Sequence, residues 1–320
     1  MGVLAVLYRI LRMSGPAPDR AWAVRLASAD GWRRILALRV LHLRFSPDVL
    51  LHIRALRVPA DEKARLFSQA ISHLVVGGTC KTTWEDRTRL ADDAIVRHAA
   101  AFGQVRLLDV GTSDGTASLA LIDRLPNLID VILADRHGLL YARGPALLRR
   151  FLDGERKPLG IKIAGIYLHL PRETAADPSG FAAIATVNPL VAERIGDVEF
   201  VPFDARRDAL RPPATVIKCA NLLNREYFAA AELRSAAANL GVSLVDGGLL
   251  CISQNHPKYP DGEAYLILKR HGSALALIEE RGGHDAVAAL QPLPIALGFT
   301  DNVPASGDAS ATTGSDPGRD

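Results

Sequence analysis

Carboxylates at the ends of successive apolar runs give this sequence its first chemical signal. Asp109 lies in Leu107-Leu108-Asp109-Val110, which leads into the turn Gly111-Thr112-Ser113-Asp114-Gly115 and then into the helical stretch Ala117–Leu125. A second run, Ile129–Ala134, ends at Asp135-Arg136, 26 positions after Asp109, and a third, Val198–Phe203, ends at Asp204-Ala205. A helix that follows a glycine turn directs its free N–H groups into the turn, and Gly111 and Gly115 permit a close backbone approach that a side chain would block. Asp135 can accept both hydroxyls of a ribose laid across the strand ends. Asp204 can accept an adenine amino group while the neighbouring N–H meets a ring nitrogen. One acid at a strand end is as readily a helix cap, but three in order point to a nucleoside.

Two more residues are candidates for the reacting end. Asn221 follows the apolar run Val216–Ala220, and His256, in Gln254-Asn255-His256-Pro257, follows Leu249–Ser253, at the sheet edge where a general base would stand. Lys81-Thr82-Thr83-Trp84 precede the first sheet unit and can fold over a ligand there. Competing chemistries fit poorly. No Gly-Lys-Ser or Gly-Lys-Thr phosphate loop occurs, Ser113 interrupts the dinucleotide fingerprint, and no Asn/Asp-Pro-Pro-aromatic motif follows the fourth run. Cys219, in that run, reads as core. The three cysteines, Cys80, Cys219 and Cys251, form no CxxC pair and no metal-ligand spacing with the nine histidines, so no metal site is expected.

The elements that must position these residues fall into two patterns. Residues 1 to about 102 read as helices: Trp22, Leu26, Trp32, Ile35, Leu36, Val40 and Leu43 recur at three- and four-residue steps, and Asp61-Glu62 follow Pro59 as a first helical turn before Leu66, Ala70 and Leu74. From there short apolar runs alternate with helical stretches such as Arg225–Leu240, which implies an α/β fold with a parallel sheet covered on both faces. Tyr265–Lys269 and Ala274–Glu279 read as a closing β-hairpin. The expected division is a helical subdomain over 1–83, a Rossmann-like domain over 84–300 and a disordered tail over 301–320. The domain has an insertion near 140–180, whose strand Ile161–Leu170 and turn Asp153-Gly154 make a hairpin able to cap a site.

Asp-Val-Gly-Thr-Ser-Asp-Gly, Asp135, Asp204-Ala205 and the closing hairpin together resemble a class I S-adenosylmethionine-dependent methyltransferase, over about Trp84 to Gly283. The resemblance implies a seven-stranded sheet with an antiparallel last strand and S-adenosylmethionine as cofactor. It implies that Asp109 and the turn Gly111, Thr112, Ser113, Asp114 and Gly115 hold the methionine part, Asp135 with Arg136 the ribose, and Asp204 with Ala205 the adenine. Ser113 stands where the family often has a second glycine. Lys218-Cys219-Ala220-Asn221 followed by Asp246-Gly247-Gly248 is similar to the chemotaxis-receptor glutamate methyltransferases, with Asn221 matching and Ala220 in place of their Arg. That places Asn221 beside the cofactor.

Composition sets the outer bounds. The 320 residues are 48% hydrophobic and 23% charged, a globular balance. The net charge of +3 conceals an asymmetry: Met1 to Val75 carry 12 basic against 5 acidic residues (+7), and the remainder 26 against 30 (−4). A basic amino-terminal quarter is usually a solvated helical face, with contact to phosphate, of either lipid or nucleic acid, as the functional alternative. The apolar start Met1–Tyr8 is cut short by Arg9 and Arg12, too brief to span a bilayer. The expectation is a cytoplasmic methyltransferase acting on an unidentified acceptor, first a small molecule and second a protein, with no nucleic-acid signal. The alternative is a non-catalytic nucleoside- or partner-binding module on the same fold.

Overall fold

The computed structural model describes residues 14–17, 21–28, 31–77, 79–80, 87–171, 174–196 and 199–297. The stretch Lys81–Trp84, expected to fold over a ligand, and the tail 301–320, expected to be disordered, lie outside the described residues. The first elements among the described residues are a two-residue strand, β1 (Gly15–Pro16), and the helices α1 (Ala21–Ser28), α2 (Trp32–Ile35), α3 (Asp48–Arg54) and α4 (Ala60–Ile71). The apolar repeat beyond Trp32 continues from α2 into a π turn, Leu36–Val40. Pro59 precedes α4 and Asp61 and Glu62 occupy its first turn, where negative charge meets the positive end of the helix. A small hairpin, β2 (Val75–Val76) and β3 (Thr79–Cys80), follows.

The main sheet then builds in alternation. Helix α5 (Arg89–Ala99) leads to β4 (Val105–Val110), a short 3-10 turn (Thr116–Ser118) and α6 (Leu119–Ile122), then β5 (Leu128–Ala134). After β5 the chain leaves this sheet for five strands: β6 (Leu139–Arg143), β7 (Leu148–Leu152), β8 (Pro158–Ile163), β9 (Ile166–His169) and β10 (Ala182–Ala185). It returns through α7 (Pro189–Ile195), whose cap Asn188 accepts the Leu190 N–H at 3.0 Å, to β11 (Glu199–Val201) and β12 (Ala214–Ala220). Helix α8 (Ala230–Val242), β13 (Leu244–Asn255), β14 (Glu263–His271), β15 (Ala274–Arg281), α9 (Ala286–Ala289) and β16 (Ile295–Ala296) complete it.

The order of the main sheet is β11-β5-β4-β12-β13-β14-β15-β16, parallel from β11 to β13 and antiparallel beyond. Strand order reverses between β4 and β12, the switch point at which open α/β sheets bind ligands. Helices cover both faces: α8 and α9 pack on one through Leu233, Ala236, Ala237 and Leu240, and α5, α6 and α7 on the other through Ile95, Leu119 and Val191. The expected architecture is present with one correction. Among the described residues eight strands are joined, not seven, because β13, β14, β15 and β16 run as a meander and the closing hairpin is extended by β16.

The insertion is more than one hairpin. Strands β6 to β10 and β1 form a second, antiparallel sheet in the order β1-β9-β8-β7-β6-β10. Its inner face (Leu140, Phe151, Leu159, Tyr167, Ile184) shares one buried core with Val24, Leu50, Ile53, Leu66 and Phe67 of the amino-terminal helices. Within that core Lys162 Nζ meets Asp48 at 2.7 Å, both residues almost wholly buried, and Ser46 donates to the same carboxylate. Such a pair offsets its desolvation only while both partners stay.

Candidate functional site

A cavity of about 370 Å³ opens at the switch point, in the size range of small-ligand pockets. Its wall includes Gly111 and Ser113 after β4, Asp135 and Arg136 after β5, Asp204 and Ala205 after β11, and Asn221 after β12. Four loops separated by as many as 110 positions in the sequence thus converge on one space.

The glycine turn is shaped by left-handed backbone. Gly115 has φ +85°, and a Cβ there would come within 2.8 Å of Leu133. Ser113, at the position where a glycine was the alternative, adopts φ 62° all the same. Its N–H donates to Asp135 Oδ2 at 3.1 Å, and the His137 N–H donates to Oδ1 at 2.7 Å. The Asp135 carboxylate is therefore fixed in orientation by two backbone donors. Asn221 is the other non-glycine wall residue in left-handed backbone, with φ 56°. Its side chain is fastened to the next strand: Nδ2 donates to Asn255 Oδ1 at 2.9 Å, and Oδ1 accepts the Asn255 N–H at 2.7 Å. Left-handed residues held in this way cluster at ligand sites because the surrounding structure must over-determine them.

Asp204 is already engaged. Arg206 donates to both its oxygens, from Nε at 3.1 Å and from the terminal nitrogen at 3.0 Å, and Arg136 Nε lies 3.7 Å away. Burial alone would raise the Asp204 carboxyl, but these arginine contacts hold it below the usual carboxylate range. Arg136 itself is bonded to Glu155, at 2.9 Å from Nε.

Other named residues lie behind the wall. Asp109 sits beneath the glycine turn, bonded by Ser118 and paired in register with Lys218 of β12. Lys218 Nζ meets Asp92 at 2.7 Å and donates to the Ala117 carbonyl at 3.2 Å. Burial pushes the Asp109 carboxyl up to about 6, and the nearby Lys218 limits that rise. The Lys218 ammonium is held charged, because Asp92 and Asp109 overcome its own burial. Asp114 is also buried, accepting from Thr116 and Ser68, while Thr112 and Gly115 pack within the turn. His256 stands outside the cavity wall, with Nδ1 accepting the Lys258 N–H at 3.0 Å and Nε2 4.0 Å from Glu226. Cys219 is fully buried and its thiol is pushed up by that burial, as a core residue's would be.

The wall also holds residues that sequence reasoning did not assign. Gly77, Arg87, His137, Phe203, Arg206, Leu222, Tyr227 and Phe228 all line it. Arg206 and His137 each follow a named acid by two positions, a spacing that brings the backbone N–H onto the carboxylate. Arg87 and Gly77 arrive from the amino-terminal region, where no local motif marks them. Burial pushes the Arg87 guanidinium down, with the Tyr227 phenol opposing.

No protein-family model matches the chain, and no curated protein matches it. Solved structures do. CalS10, an amino pentose methyltransferase from Micromonospora echinaspora solved with S-adenosylmethionine bound, is 17% identical, covering 60% of this chain and 68% of its own, with a TM-score of 0.32. The N-methyltransferase NodS from Bradyrhizobium japonicum WM9, in complex with S-adenosyl-l-homocysteine, is 13% identical over 53% of this chain and 62% of its own, at 0.31. The sugar N-methyltransferase KedS8 from Streptoalloteichus sp ATCC 53650 is 13% identical over 63% of this chain and 75% of its own, at 0.31.

Proposed function

We propose that the chain is an S-adenosylmethionine-dependent methyltransferase whose acceptor is a small molecule. The observation that carries this reading is the convergence of Gly111–Ser113, Asp135 and Asp204–Ala205 on one cavity at the reversal of strand order. The donor set fits the cofactor: Asp135 offers a preoriented carboxylate for the ribose hydroxyls, Asp204 and the Ala205 N–H, both on the wall, would meet the adenine, and the glycine turn would hold the methionine part. Bound there, S-adenosylmethionine supplies a methyl carbon activated by its sulfonium. The chain's own task is then alignment of the acceptor and exclusion of water. Asn221 lies on the wall after β12, and Arg87, Tyr227 and Phe228 enclose the same space. His256, off the wall but coupled to Glu226, is our candidate for taking up a proton from the acceptor through the rim. Two thiols buried in the free state, Cys219 and Cys251, suit a reducing compartment, and we place the protein in the cytoplasm.

One feature favours a second reading, a nucleoside-binding module without turnover: the candidate base His256 stands off the cavity wall. Calorimetry with S-adenosylmethionine and its demethylated product tests the pocket, and absence of binding at millimolar concentration would sink both readings. Turnover of bound cofactor in the presence of a cell-extract small-molecule fraction separates them, since binding without transfer selects the module.

A further inference from the structure

The outer face of the second sheet departs from the alternation that its inner face obeys. Antiparallel sheets covered on one side usually turn polar residues to the other. Here the outward positions of β7, β8 and β9 are Leu148, Arg150, Ile161, Ile163, Ile166 and Leu168, with no acid among them. Leu148, Ile163 and Ile166 lie directly opposite one another across the three strands, and they are 50%, 44% and 51% exposed. Leu147, beside them at the strand tip, is 73% exposed, and its carbonyl accepts the Ala164 N–H at 2.8 Å, which ties the two tips together. The result is a single apolar end of the sheet.

Behind that end stands positive charge. Arg150 pairs in register with Arg143 of β6, so two cations face outward on neighbouring strands. Like charges placed opposite each other destabilise a sheet unless something answers them. Arg143 packs over the Phe181 ring, donates to the Ser179 carbonyl and acts at longer range on Asp177, and neither arginine has an acid within ion-pair distance among the described residues. Gly15–Pro16 pair with Tyr167 and Ile166, so β1 edges the sheet beside this apolar end. A second copy docked by this face would set arginine against arginine, so the partner is anionic. An apolar tip with arginines one step behind matches a surface that is apolar within and anionic at its boundary.

We propose that this end of the second sheet inserts into the interface of an anionic lipid bilayer, with Leu147, Leu148, Ile163 and Ile166 entering the acyl boundary and Arg143 and Arg150 meeting the headgroup charge. The contact is independent of what the cavity binds. Its test is co-sedimentation of the full chain with vesicles of phosphatidylcholine alone and with about a quarter phosphatidylglycerol. Partition onto the anionic vesicles is expected, with Leu147→Glu and Ile166→Glu each weakening it roughly tenfold or more and Arg150→Glu weakening it at low salt while flattening its dependence on salt. A thermal melt matching the parent's shows that each variant is folded, and Leu147→Ser supplies a milder change at the same exposed position. No partition onto anionic vesicles would overturn the proposal. So would tip variants that bind like the parent while Leu4→Glu or Leu7→Glu abolishes binding, because the amino-terminal segment alone would then be the contact. A concentration-dependent dimer lost on Leu147→Glu, without lipid binding, would overturn it in favour of a contact between copies.

Discussion

Ser68 of α4 donates its hydroxyl to Asp114 Oδ2 at 2.6 Å, across 46 positions of sequence. The bond ties a helix of the amino-terminal region to the turn that walls the cavity. Asn188, the cap of α7, donates to the same oxygen at 3.2 Å, and Thr116 donates to Oδ1 from both its N–H and its hydroxyl. Asp114 thus collects donors from three separate segments at a point with no exposure to solvent. Asp114→Ala would strand those donors at once, and a loss of about 3 kcal/mol in unfolding free energy is expected from urea titration. Ser68→Ala removes one donor and leaves the others, so about 1 kcal/mol is expected. Equal losses in the two variants would show that Asp114 is not the shared node.

Asp135 makes the prediction closest to function. Its two oxygens are oriented by Ser113 and His137 N–H groups, and a ligand hydroxyl meets a charged acceptor whose position is already fixed. Asp135→Ala should weaken binding of S-adenosyl-homocysteine by on the order of 10- to 100-fold in calorimetry, the range for a hydrogen bond to a charged group. Asp135→Asn keeps one acceptor oxygen and should fall between the parent and the alanine variant. Unchanged affinity in both would remove Asp135 from the ligand site.

The contrast between these two acids explains what was legible in the sequence. Asp109, Asp114 and Asp135 read alike as acids near a glycine turn, and only packing separates the wall residue from the two beneath it. The strands that position them were readable because Val105–Val110 and its neighbours are continuous apolar runs, as sheets buried on both faces require. The second sheet was seen as one strand over Ile161–Leu170 because its break is concealed. Ala164 and Gly165 form a two-residue turn with φ 46° and 84°, the backbone of a tight hairpin, but without the Asn-Gly or Asp-Gly that signals one. Nor could the pairing of that sheet with α1, α3 and α4 be read locally, since its core joins residues more than 100 positions apart. Arg87 was missed for the same reason: nothing near it in sequence shows that the cavity lies beside it.

Asp109 links the buried network to pH. Its carboxyl ionises at about 6 in the folded chain against an ordinary 3.8, chiefly because burial disfavours the charge. The folded state therefore binds the proton more tightly than the unfolded state. Its contribution is fully present below about pH 4 and is lost as pH rises through about 6. Asp109→Asn cannot ionise, and Lys218 keeps Asp92 as its counter-charge. The stability of Asp109→Asn relative to the parent should rise between about pH 4 and about pH 7, by on the order of 1–3 kcal/mol, and level off above. Urea titrations across that range would read it. A difference that does not change with pH would mean the Asp109 charge is not the buried, disfavoured one.

Arg206 and Asp204 test the adenine assignment. The arginine donates to both carboxylate oxygens, and Asp204 accepts the Arg206 N–H at 3.0 Å as well. An adenine amino group approaching Asp204 must displace part of that fork, whose bidentate geometry makes it one of the stronger side-chain pairings. Arg206→Ala leaves Asp204 at the wall with its carboxylate open, and Arg136, 3.7 Å away, still supplies positive charge. If Asp204 receives the adenine, the affinity for S-adenosyl-homocysteine should rise several-fold in Arg206→Ala and fall roughly tenfold in Asp204→Ala. The double variant should resemble Asp204→Ala, because Arg206 acts only through that acid. Should Arg206→Ala instead lose affinity while Asp204→Ala binds normally, the arginine itself touches the ligand, and the adenine assignment of Asp204 fails.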